Sequence, residues 1–140
     1  MIKILIVSTD KEFIEDMEAN LEMYQQDWQV SDMTSGKKCL ENLNQNNGID
    51  IVIVGKNLQD MPGLDLIKQI RDDSDVIIVL ISQDKDISTL VKAYEVGADD
   101  YAVQPVNMFL FVTRLKALIR RNNWDKQARE TKRFRNACYE

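Results

Sequence analysis

At 140 residues, 44% apolar and 29% charged, the chain suits one globular domain and is too short for two; its longest apolar runs cannot cross a bilayer. The net charge of −5 divides unevenly: residues 1–113 hold 9 Lys/Arg against 20 Asp/Glu, whereas residues 114–140 hold 9 against 3. The acidic body argues against direct nucleic-acid binding by the domain, and the basic end reads as a solvated linker helix ahead of a nucleic-acid arm.

Ile2–Val7 is a short apolar run that predicts a first strand. Lys11–Tyr24 follows, with Phe13, Ile14, Met17, Leu21 and Tyr24 on one helical stripe. Asp10 reads as its N-terminal cap or first-turn acid, and Thr9 with Glu12 also fits a capping box. Trp28–Met33 is a weaker edge strand, after which Ser35 caps a short helix carrying Cys39, Leu40 and Leu43 and ending in Asn44–Gly48. The third strand, Ile49–Val54, is nearly all apolar around Asp50, as a strand buried on both faces should be. A loop containing Met61, Pro62 and Gly63 leads to a helix with Leu64, Leu66, Ile67 and Ile70. Val76–Ile81 is the fourth strand. The next helix, Lys85–Val96, has Ile87, Leu90, Val91 and Tyr94 at helical spacing and stops at Gly97. Tyr101–Val103 is the fifth strand, and a helix from about Met108 to Arg121 follows Pro105 and buries Met108, Phe111, Val112, Leu115, Leu118 and Ile119. Trp124, Ala128, Thr131 and Cys138 continue at rough helical spacing, as a linker helix or a frayed end.

Five strand–helix units in residues 1–121 predict an α/β fold: a doubly wound, five-stranded parallel sheet of flavodoxin-like or CheY-like (βα)5 type. Residues 122–140 form the tail. The chain has no histidine and no C-x-x-C pair, so a Cys/His metal site is not expected, and Cys39 reads as a core thiol before a reactive one. Met1–Val7 has no cleavable leader pattern, and a cytoplasmic protein is expected. In doubly wound folds the working site lies beyond the C-terminal ends of the strands. Here those ends carry Ser8, Thr9 and Asp10, then Gly55 and Lys56, then Ser82, then Gln104 and Pro105.

Several segments are similar to response-regulator receiver domains. Lys3–Val7 resembles their first strand; Asp50–Val54, followed by Asp60, Met61, Gly63 and Leu64, resembles the third strand and its loop. Gly97-Ala-Asp-Asp-Tyr101 with Ala102, Val103 and Pro105 closely resembles the GADDY-x-x-KP stretch of the family. Thr113–Arg121 resembles the last receiver helix of OmpR/PhoB-type winged-helix regulators. Carried over position by position, the paired acids that hold a divalent ion fall at Ser8 and Thr9, and the phosphoryl-accepting aspartate at Gly55. The lysine that contacts the phosphoryl group falls at Gln104. The two switch positions fall at Ser82 and Tyr101 and are retained in kind.

These departures belong together chemically. Phosphoryl transfer to a carboxylate needs a nucleophile, a divalent cation and a cationic partner, and Gly55 has no side chain at all. Ser8 and Thr9 are poor ligands for Mg²⁺ beside a carboxylate pair. A lysine at position 104 would be a charge without a partner, and Gln104 removes that cost. Ser8, Thr9, Ser82 and Gln104 are then expected to form a neutral polar cluster, with no metal and no cofactor. A relocated ligand at Asp10 and a substitute acceptor at Asp60 are the weaker readings of those acids.

The resemblance also implies an output face on the fourth helix, fifth strand and fifth helix, where a basic and an acidic residue of the winged-helix group pair across a dimer. Those positions fall at Leu90 and Leu110, with Asp100, Arg114 and Arg121 at the remaining charged positions and Tyr94 on the same face. Two leucines in place of an ion pair suggest a homodimer formed without a phosphate signal, each burying roughly 1.5–3 kcal/mol if fully covered. Leu90 as plain core and Leu110 as a scattered surface leucine is the alternative. The expected function is a non-enzymatic receiver module controlling a DNA-binding effector beyond this chain. A stand-alone interaction module that docks another regulator or kinase is the second reading. A flavin binder or small α/β enzyme is the third, weakened by the lack of a Gly-rich phosphate loop.

Overall fold

The computed structural model describes residues 2–24, 27–45 and 47–139, with side chains followed as far as residue 124. Strands and helices alternate in chain order as β1 (Lys3–Val7), α1 (Lys11–Tyr24), β2 (Gln29–Met33), α2 (Gly36–Asn44) and β3 (Ile51–Gly55). They continue as α3 (Gly63–Asp73), β4 (Ile77–Ser82), α4 (Ile87–Val96), β5 (Asp100–Val103) and α5 (Met108–Tyr139). The five strands pair in parallel, in the sheet order β2-β1-β3-β4-β5. This is the predicted CheY-like (βα)5 architecture.

Because successive strand residues point to opposite faces, each central strand feeds two cores. Ile4, Ile6, Ile51, Ile53, Val79 and Ile81 pack under α1 and α5 with Met17, Leu21, Phe111 and Leu115. Leu5, Val7, Val52, Val54, Ile78 and Leu80 pack under α2, α3 and α4 with Cys39, Leu66, Ile67 and Ile70. Cys39 is wholly buried, and burial pushes its thiol pKa up to about 12, so it behaves as an inert core group.

Several boundaries differ from the sequence reading where a local bond intervenes. The third strand starts at Ile51, and the Asp50 carboxylate just before it accepts from the Lys3 amide at 2.9 Å. The fourth helix starts at Ile87 because Asp86 caps it, accepting from Ser88 N at 3.1 Å. Ser35 caps α2 as expected, accepting from Lys38 N at 3.3 Å. Asp10 caps α1, accepting from Phe13 N at 3.1 Å, whereas the Thr9 hydroxyl donates to Asn57 O at 3.2 Å and makes no capping box. Gly97 closes α4 at φ +120°, a conformation a side chain resists.

Two differences concern whole helices. The apolar stripe of α4 is turned outward: Ile87, Val91 and Tyr94 are exposed, Leu90 is half-buried, and the small Ala93 makes the buried contact. The last helix does not stop at Arg121 but runs 32 residues to Tyr139, about 48 Å, since no Gly or Pro interrupts it. Tyr24, Ala128, Thr131 and Cys138, which the periodicity also singles out, lie outside the described side chains.

Candidate functional site at the strand tips

The strand order brings β1, β3, β4 and β5 side by side, so their C-terminal ends open onto one cavity of about 310 Å³. Ser8, Thr9, Gly55, Ser82 and Gln104, all singled out in the sequence, line it together with Asp10, Lys56 and Asp84. Gly55 ends β3 level with Ile81 of β4. A Cβ added at Gly55 would stand 3.1 Å from Ser8 Oγ, so the first strand's serine already occupies part of the room a larger side chain needs. Gly63 is required for another reason: a Cβ there would meet the Gly55 carbonyl oxygen at 2.1 Å. Its amide instead donates to Lys56 O at 2.7 Å and draws the loop after β3 tight.

The expected neutral cluster is not what forms. Among the described residues no hydrogen bond joins Ser8, Thr9, Ser82 and Gln104 side chain to side chain; each bonded hydroxyl serves the backbone instead. Ser8 Oγ accepts from Asp10 N at 3.1 Å and Ser82 Oγ accepts from Asp84 N at 3.0 Å, both turns of the kind serine makes locally. Beside Asp10, the pocket holds an ion pair that sequence reading did not assign. Lys56 Nζ donates to Asp84 Oδ2 at 2.7 Å, with the side chains 42% and 22% exposed. Lys56 is held above its ordinary range by the hydrogen bond to Asp84. The same bond, the Asp86 amide and the Thr89 hydroxyl bring the Asp84 carboxyl down to about 2.

Tyr101, the aromatic switch position, is 5% exposed and turned inward, its hydroxyl donating to Asp84 O at 2.6 Å. Asp60 is occupied elsewhere: it accepts from Gly36 N at 2.7 Å, Lys37 N at 3.0 Å and Ser35 Oγ at 3.0 Å, and does not line the cavity. Those amides at the start of α2 hold its carboxyl below the ordinary range, as an anion at a helix N-terminus should be held.

On the far side of β5, Asp100 is buried and accepts from the Tyr94 hydroxyl, the Arg114 guanidinium and the Tyr101 amide of its own chain. Asp100 and Arg114, placed by resemblance among the cross-dimer charges, are therefore paired within one chain. Leu110 is 55% exposed beside Phe109, and Arg121 is exposed about three turns further along α5. Ile87 and Val91 on α4 and Val103 on β5 are exposed apolar side chains as well, and the sequence reading assigned none of the three to the output face.

Residues 4–116 match the response regulator receiver domain family. The chain belongs to that family. The heme response regulator HssR of Staphylococcus epidermidis is 31% identical over 121 residues, which are 86% of this chain and 53% of HssR. The transcriptional regulatory protein KdpE of Mycobacterium tuberculosis is 30% identical over 122 residues, 87% of this chain and 53% of KdpE. The chain thus spans about half the length of the curated relatives it matches. A two-component response regulator from Clostridium difficile superposes with a TM-score of 0.81 at 25% identity, covering 88% of this chain and 99% of that one. This receiver domain is close in sequence to OmpR/PhoB-type regulators.

Proposed function

We propose that this receiver domain signals without accepting a phosphoryl group, as a cytoplasmic, non-enzymatic module that dimerises through α4, β5 and α5 and controls a DNA-binding effector. The observation that carries this reading is Gly55 at the tip of β3, where no carboxylate is available. The other acids near the pocket are already engaged. Asp10 caps α1, Asp84 is bound to Lys56, and Asp60 accepts from the first amides of α2.

The donors present also suit a hard divalent cation poorly. Mg²⁺ favours several oxygens with carboxylates among them, and the β1 end supplies two hydroxyls already turned to the backbone. The DNA-binding effector is supported by the relatives, of which KdpE is a transcriptional regulatory protein. The dimer is supported by the large apolar side chains of Ile87, Val91, Phe109 and Leu110, which are exposed on α4 and α5.

Incubation with acetyl phosphate and Mg²⁺, followed by intact-mass measurement, is expected to leave the chain unmodified, and beryllofluoride is expected to produce no saturable change. A stoichiometric phosphoryl adduct would refute the proposal.

A further inference from the structure

We propose that the Lys56–Asp84 ion pair is a built-in latch that keeps Tyr101 inside the fold without a phosphoryl group, and so biases the α4–β5–α5 face toward one shape. The proposal rests on the reading of that face as the output surface.

One residue ties four elements together here. Asp84, in the loop between β4 and α4, takes Lys56 from the end of β3 on Oδ2 at 2.7 Å. The same oxygen accepts from Thr89 Oγ1 in the first turn of α4 at 2.8 Å, and Oδ1 accepts from Asp86 N at 2.8 Å. The Asp84 amide donates to Ser82 Oγ, and its carbonyl receives the Tyr101 hydroxyl from β5. Every polar group of Asp84 is therefore used, and each bond requires the loop in this one position.

The tyrosine and the loop are consequently coupled. A ring left inside with the loop swung away would hold a buried hydroxyl without this acceptor, an unfavourable state. The ring and the loop move together or not at all. Lys56 supplies the pull toward β3 from the residue that directly follows Gly55, so a cation fixed in the sequence does what a transferred anion would otherwise have to trigger. The pair is partly open to water, which limits it to a bias of roughly fivefold or less on a two-state equilibrium. The competing account is that packing alone keeps the ring inside and Lys56 is incidental.

The test uses the full chain with ring-labelled tyrosine and NMR. The native chain is expected to show one dominant inward environment for Tyr101 and a slowly exchanging hydroxyl proton. Lys56→Met should raise the population of a second, exposed environment by about fivefold or less, with amide shifts at Gln83–Asp86. Lys56→Arg should preserve the native spectrum. Salt of about 1 M should move the native chain in the direction of Lys56→Met, because it screens the pair without altering packing. Identical Tyr101 signals in Lys56→Met and the native chain would overturn the latch, as would Lys56→Arg behaving like Lys56→Met. Sedimentation of the same samples separates the two proposals. A native monomer whose Tyr101 responds to Lys56→Met removes the dimer and leaves the latch, whereas a dimer with an indifferent Tyr101 removes the latch alone.

Discussion

Glu18 on α1 faces Asp32 of β2, and a hydrogen bond between their carboxyls keeps a proton on Glu18. Partial burial and the nearby charges of Asp32, Glu22 and Glu15 act in the same direction, and its pKa rises from 4.5 to about 7. An acid whose pKa is raised by folding binds its proton more tightly in the folded chain than in the unfolded one. Its stabilising contribution is therefore full below pH 4.5 and declines as the pH climbs to about 7. Glu18→Gln keeps a donor for Asp32 and removes the titration, so it should flatten that stretch of the stability curve. Urea midpoints taken at about pH 5 and about pH 8 bracket the window. Equal losses of stability across it in parent and variant would show that this carboxyl pair does not govern the slope.

At the scale of elements, Arg71 near the end of α3 joins three segments that the sheet alone leaves loosely connected. Its guanidinium donates to Gly97 O at 2.9 Å, to Ser74 O at 3.0 Å and to Val76 O at 2.8 Å, and pairs with Asp99 at 2.8 Å. Asp99 in turn accepts from the Ile78 amide, so the cap of α4 and the starts of β4 and β5 are fixed from one side chain. Arg71→Met should cost about 2–3 kcal/mol, measured by urea denaturation, because several carbonyls lose a charged donor at once. Lysine should not rescue it, since one ammonium cannot reproduce the spread of a guanidinium fork. A loss below about 0.5 kcal/mol would mean that water replaces these bonds freely. Bonds of this kind mark the limit of what sequence periodicity conveys. The alternation of apolar runs and helical stripes is local, and it was enough for the element order and for the convergence of Ser8, Gly55, Ser82 and Gln104 at the strand tips. The spacing of Ile87, Val91 and Tyr94 defined a face of α4 but not which way it turns; the small Ala93 on the opposite side settles that through close contact. Lys56 and Asp84 are 28 residues apart and follow no period. The signal for them was a base just past β3 and an acid two residues past Ser82, on neighbouring strands whose tips lie level.

For the whole molecule, the decisive question is what covers the α4–β5–α5 surface. The intrachain bonds from Arg114 and Tyr94 to Asp100 reduce the charge that this face offers a partner and leave the apolar side chains as its main resource. A two-fold axis would bring each Leu110 to the partner surface once from each side, so a single substitution acts twice. Leu110 is 55% exposed, and covering that remainder contributes on the order of 1 kcal/mol per copy. Leu110→Lys should therefore weaken the proposed dimer by roughly thirtyfold while sparing the fold, because the long aliphatic stem still lies on the helix and its ammonium reaches water. The added positive charge stands one turn from Arg114 on the same helical face and opposes association further, most strongly at low salt. Sedimentation across a concentration series at two ionic strengths reads both effects. An unchanged profile in Leu110→Lys would take this surface out of the assembly and direct attention to the basic extension of α5 instead.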